Sequence, residues 1–204
     1  MVRPILRYGE HTLHKPAAPV ADVDDDVRRL VDDMLATMDA APGVGVAATQ
    51  LGVPLRVFVV DVSVGRKPTD LLVMINPVFL ERDGMQLEEE GCLSLPGFNA
   101  TVVRPSRAVI KALDRSGTEY TVEGQDLLAR AFQHEMDHLD GTLFVDRLRG
   151  LPKDLSVRKI HKLARAFQHE MDHLDGTLFV DRLRGIKRDM ILRKIRKLSR
   201  AGKW

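Results

Sequence analysis

The sequence predicts an α+β fold: antiparallel strands packed around a central helix that carries an HExxH motif, with an N-terminal helix and an extended C-terminal helical appendage. Three observations predict it. A helical apolar spacing near the N-terminus gives way to short apolar runs bounded by Gly, Pro and Asp. A second helical pattern then carries His134 and His138 four apart. Finally, a segment of that second pattern is repeated toward the C-terminus.

Asp25 to Met38 sets Val27, Leu30, Val31, Met34 and Met38 at helical spacing. Arg56 to Val62 and Leu71 to Pro77 read as strands, as do Ala100 to Val103, Ala108 to Leu113 and Glu119 to Val122. Asp114-Arg-Ser-Gly117 is the hairpin turn between the last two. The next helix starts at Gln125 or Asp126. It stops at Asp140-Gly141, where glycine can supply a left-handed cap. Helix, strands, helix is the order of an α+β domain, not of a parallel βαβ sheet.

The repeat is literal. Leu128 to Gly150 reads LARAFQHEMDHLDGTLFVDRLRG, and Leu163 to Gly185 reads the same, at an offset of 35. The twelve residues after each copy share five identities, so the unit is 128–162, copied as 163–197. Two copies are too few for a solenoid. The expectation is a tandem duplication of a domain's last part.

Composition excludes several classes. Hydrophobic residues make up 44% and charged residues 29% of the 204, ordinary for a globular protein. No run approaches the roughly 18 apolar residues of a membrane span, and the first residues lack a secretion signal's apolar run. One cysteine excludes an internal disulfide framework and fits a reducing cytoplasm, so a cytoplasmic location with no membrane partner is expected. The net charge of +2 hides ten Lys/Arg against one acid between Arg182 and Trp204. Such a tail can seek a polyanion, or can be the solvated face of a C-terminal helix.

The chemistry concentrates in three segments. In His134-Glu135-Met136-Asp137-His138 the two imidazoles share a helix face and can converge on one ion, with Glu135 in reach of a bound water. Two unrelated surface histidines are the plain alternative. A hydrolytic metal site needs a third protein ligand. The single cysteine, in Glu90-Gly91-Cys92-Leu93-Ser94-Leu95-Pro96, can supply a thiolate. Cys92 can equally be a small buried hydrophobe or a nucleophile activated by a histidine. Gly43-Val-Gly-Val-Ala-Ala-Thr-Gln50 has glycines but no phosphate-loop arrangement, and its Gln50 offers an amide to polarise a carbonyl.

Taken together, GVGVAATQLG (43–52), EEGCLSLPG (89–97) and QHEMDHLDG (133–141) resemble the peptide deformylases, in that family's order, over residues 1 to about 165. The resemblance implies removal of formate from the N-formylmethionine of new polypeptides. It implies Cys92, His134 and His138 as ligands to one divalent ion, Fe2+ in the cell, replaceable by Zn2+ or Ni2+. Glu135 would shuttle the proton, while the Leu93 N–H and the Gln50 amide hold the developing oxyanion. The nascent peptide would lie as an added strand along Val44 and Gly45, with Val44, Leu127, Ala131 and His134 around its Met side chain. Gly97-Phe98-Asn99 stands where some members place an arginine, and Arg130 where some are apolar.

On this reading residues 1–162 are the catalytic domain and 163–204 are the duplicated segment with a basic helix. The second motif, His169, Glu170 and His173, has no cysteine of its own. Ile160, Leu163, Phe167, Met171 and Leu174 continue as one helical stripe, so the first copy owns Cys92. Exchange of the copies, as in a domain-swapped dimer, is the alternative to a monomer. The tail cations Arg193, Lys194, Arg196, Lys197 and Arg200 could dock on the ribosome. An HExxH endopeptidase and a catalytically silent duplicated homologue are the rival functions.

Overall fold

In the computed structural model, which describes residues 1–41, 43–148 and 193, helix α1 spans Asp25–Ala40. The Asp24 carboxylate accepts the Val27 N–H at 2.9 Å and caps its first turn. Val27, Leu30, Val31, Met34 and Met38, the stripe that the spacing predicts, are all buried. The chain divides into two units, Met1–Val157 and Arg158–Trp204. The second HExxH copy and the basic tail lie outside the described residues, except for Arg193, which is exposed.

Among the described residues seven strands follow α1: β1 (Gly45–Ala47), β2 (Val57–Val60), β3 (Leu72–Asp83), β4 (Gln86–Cys92), β5 (Leu95–Arg104), β6 (Arg107–Leu113) and β7 (Glu119–Gln125). Five form a sheet in the order β1-β2-β3-β6-β7, and β4 pairs with β5. Every pairing between these strands is antiparallel, and an isolated parallel bridge joins Ala18 to Leu55. Helix α2, Asp126–Leu139, starts directly after β7.

The two helices cover opposite faces of the five-stranded sheet. Alternation along β2 sends Val57 and Val59 toward α1, beside Val31, Met34 and Ile75. It sends Phe58 and Val60 toward α2, beside Phe132, Met136 and Leu139. A strand buried on both faces is why Arg56 to Val62 reads as a continuous apolar run. The helix α2 is thus held against the sheet through Phe132, Met136 and Leu139.

The α+β reading and its antiparallel strands hold, with differences in detail. β3 continues past Pro77, where the expected strand stops. Asn76 takes a positive φ of 51°, its side chain bonds both the N–H and the C=O of Val20, and the register shifts between Ile75 and Val78. A bulge is how a strand admits a proline. β4 carries three glutamates, so propensity hides it. β1 has only three residues, and β5 starts at Leu95, earlier than expected. The turn at 114–117 holds: Gly117 has φ 86° and donates to Asp114 O at 3.0 Å. So does the helix stop, where Gly141 has φ 72° and a Cβ would meet the Lys15 backbone at 2.7 Å.

Candidate metal centre

Cys92 ends β4, at a register shift that turns the chain toward β5. His134 and His138 lie one turn apart on the face of α2 that meets it. One ligand atom from each of the three lies within 4.8 Å of the others, the geometry of a common ion. The Cys92 Sγ is 3.2 Å from His138 Nε2.

Buried charges fix this set from behind. His134 Nδ1 donates to Glu90 Oε2 at 3.0 Å, which leaves its Nε2 to ligate. Arg104 grips Glu90 with two donors, at 2.5 and 2.8 Å, and reaches Asp137 Oδ2 at 2.8 Å. Arg147 also donates to Asp137. Phe144 stacks on the His134 ring, at 6.1 Å between centroids. Glu90, Asp137 and Arg104 escape a reading from spacing, although the first two lie inside the motif segments. Alternation along β4 would have turned Glu90 and Cys92 to one side together; Arg104 gives no sequence signal.

The first motif meets the set through Gln50. Its Oε1 accepts the Ala47 N–H at 2.9 Å, which turns Nε2 toward Ser94 Oγ (3.2 Å) and Cys92 Sγ (3.7 Å). Thr49 Oγ1 donates to the His138 carbonyl at 3.2 Å, tying the same segment to α2. Glu135 is buried, and its Oε2 has no hydrogen-bond partner among the described residues. His138 Nδ1 is likewise without one.

Burial pushes the Glu135 carboxyl up to about 7, against the pull of His134 and His138. Burial would also raise the Cys92 thiol, but the charge of His138 and hydrogen bonds from both histidines hold it well below its usual range. Burial opposes charge on His134 too; its bonds to Cys92 and Glu90 outweigh that and raise it well above the usual value. Glu90 is held down at about 2: burial works against this, and the Arg104 and His134 bonds win.

A cavity of about 680 Å³ opens onto the set, lined by Val44, Gly45, Gln50, Leu93, Leu127, Ala131, His134 and Glu135 among others. Every residue expected to touch substrate therefore lines one space. Arg130 and Asn99 line it too. Among the described residues β1 is an edge strand of its sheet. The Val44 carbonyl accepts from Asp61 N–H at 2.8 Å, toward β2, so by alternation the Gly45 N–H and C=O face the outer edge.

A family model described as polypeptide deformylase matches residues 2–154 and, separately, 153–189. A peptide deformylase of Acidobacterium capsulatum is 45% identical over 162 residues, covering 79% of this chain and 95% of its own length. A crystal structure of a peptide deformylase from Legionella pneumophila superposes with a TM-score of 0.76 at 42% identity, over 82% of this chain and 98% of that one. The peptide deformylase of Ehrlichia chaffeensis in complex with actinonin gives 0.73 at 36% identity, over 80% and 98%.

Proposed function

The chain belongs to the polypeptide deformylase family, and we propose that its Cys92, His134 and His138 hold one divalent ion beside which Glu135 moves the proton. The enzyme removes the formyl group from the N-terminal formyl-methionine of newly made polypeptides and releases formate. The endopeptidase reading has no support in this family membership. The convergence of the three ligand atoms within 4.8 Å carries the assignment.

The donor set fits such an ion: a thiolate and two imidazoles, one oriented by a buried carboxylate. Fe2+ is the ion we propose in the cell, with Zn2+ or Ni2+ as replacements. When bound, the ion polarises the formyl carbonyl and lowers the pKa of water. Glu135 takes a proton from the attacking water and returns it to the amine nitrogen as the C–N bond breaks. The Gln50 Nε2 and the Leu93 N–H stabilise the charge that develops on the formyl oxygen. The peptide adds as a strand at the outer edge of β1, pairing with Gly45. Val44, Leu127, Ala131 and the His134 ring enclose its Met side chain. Formate release from a formyl-Met peptide, with metal analysis of the same anaerobic sample, tests the assignment; release that survives Cys92→Ala with unchanged metal content refutes it.

Residues 163–185 are read as a tandem copy of 128–150, with 1–162 as the catalytic domain and the first copy holding the site. The two family matches, to 2–154 and 153–189, support that reading. The chain acts in the cytoplasm, as a monomer or as a domain-swapped dimer. Among the described residues no helix is long and apolar enough to cross a membrane. The basic tail docks on the ribosome; the check is salt-sensitive ribosome binding that deletion of 186–204 removes.

A further inference from the structure

Two glycines of the first motif stand two residues apart, Gly45 at the start of β1 and Gly43 just before it, and each faces a different motif. A Cβ built on Gly45 would meet Glu135 Oε1 at 2.7 Å, with Glu135 Cδ and Cγ at 3.0 Å. A Cβ built on Gly43 would meet the Leu93 side chain, Cδ1 at 3.0 Å and Cγ at 3.3 Å. Gly45 has no positive φ, so left-handed backbone is not what calls for glycine there. The absence of a side chain is.

We propose that Gly43 and Gly45 are positioning residues that act through the space they leave, Gly45 for the Glu135 carboxylate and Gly43 for the Leu93 side chain. The inference rests on Glu135 as the proton carrier and the Leu93 N–H as an oxyanion donor.

Glu135 is enclosed. It is 4% exposed, on the buried side of α2, and its Oε2 makes no hydrogen bond among the described residues that would fix it. The space that a Cβ at position 45 would take is filled by this side chain, Oε1 lying 2.7 Å from the built Cβ. Gly45 sits in the sheet opposite Val60, next to Val44, whose carbonyl accepts from the Asp61 N–H. Any side chain at 45 therefore displaces the partner that can move, and that partner is the reacting carboxylate. It must shift by about 1 Å to regain an ordinary contact of roughly 3.5 Å. A misplacement of that size costs about a hundredfold in rate. Leu93 is placed the same way. Its side chain fills the space over Gly43, which holds the N–H of the same residue at the cavity wall. The two glycines thus bring the second and third motifs into register around the formyl group.

The test uses the full chain. Gly45→Ala is expected to keep its metal content and lose about a hundredfold in kcat, with KM for a formyl-Met peptide changed by about threefold or less. A crystal structure of metal-free Gly45→Ala should show the Glu135 carboxylate moved by about 1 Å. In a Glu135→Asp background, where the side chain is one carbon shorter, adding Ala at 45 should cost far less in kcat and in the urea midpoint of the metal-free protein. Gly43→Ala should lower kcat by about tenfold and recover in Gly43→Ala/Leu93→Ala, since the N–H remains. An unmoved carboxylate in Gly45→Ala, or equal losses in the two backgrounds, overturns the inference and leaves the role of Glu135 intact. That role fails by a separate sign, normal turnover in Glu135→Ala.

Discussion

Arg104→Met removes a guanidinium that is 2% exposed and leaves two buried carboxylates behind. Glu90 loses both of its Arg104 donors, at 2.5 and 2.8 Å, and keeps only His134 among the described residues. Asp137 loses one donor and keeps Arg147. Breaking a buried pair from one side costs about 3–5 kcal/mol. The Glu90 titration gives a second route to the magnitude. Holding its carboxyl from 4.5 down to about 2 corresponds to roughly 3 kcal/mol at neutral pH, part of it from His134. Asp137 adds a smaller loss, so the low end of the range, about 3 kcal/mol, is expected. The assay is urea unfolding of the metal-free protein, because a bound ion would add its own stability. Thermal melting should fall by roughly 6–12 °C. Metal affinity should fall by about 10–100-fold, since His134 loses the brace behind its partner. Arg104→Lys should recover little, because an ammonium cannot make the two-pronged contact. A loss below about 1 kcal/mol would refute the reasoning: the network would then be no stronger than a surface pair.

The acid limb of stability should carry the same signature. The Glu90 pKa is lower in the folded state, so its contribution is complete above about 4.5 and is lost as pH falls toward about 2. Glu90→Gln should flatten stability across that window; an unchanged slope would point to other carboxylates. At the other extreme, burial raises Tyr120 to about 12, and its hydroxyl donates to Val73 O at 2.7 Å. Its contribution is present below about 10 and lost as pH rises through 12, so Tyr120→Phe should remove that alkaline slope. Glu135→Ala should keep its metal and lose turnover by about 10²–10⁴-fold. Loss of the metal instead would recast Glu135 as structural.

How much the sequence discloses depends on whether the signal is local. Helix α1 is legible because its five apolar positions obey one period and Asp24 caps it. The 114–117 turn and the Gly141 stop are legible because each needs a specific local residue. β4 is not, because its burial pattern puts only Glu90 inside, and a buried glutamate makes sense only once Arg104 is seen beside it. The candidate ligand set that the structure brings together is legible: His134 and His138 by helical spacing, Cys92 by being the sole cysteine. The network behind them is not, since it joins residues 90, 104, 137 and 147 by contacts that no spacing encodes. The glycines of the first motif are visible as letters, but what they make room for lies in two other segments.

The identical HExxH copies pose the remaining choice, and chain connectivity favours the first. Both carry the same 23 residues, so contacts within the repeat cannot favour either. What differs is what precedes them. β7 ends at Gln125 and α2 starts at Asp126, whose N–H donates to Ser106 O at 2.8 Å. For the second copy to occupy the site, residues between β7 and that copy must loop out, 35 more than the first copy needs. Closing such a loop costs roughly 3 kcal/mol, more than a hundredfold in occupancy. Lys162 would also replace Leu127 at the wall of the cavity. His134→Ala is therefore expected to lower formate release by at least about a hundredfold, and His169→Ala to leave it unchanged. Any residue of activity in His134→Ala should vanish in the double variant, and should rise with protein concentration if exchange occurs between chains. Loss of activity in His169→Ala alone would overturn the assignment, and would mean that the second copy holds Cys92 in spite of the loop.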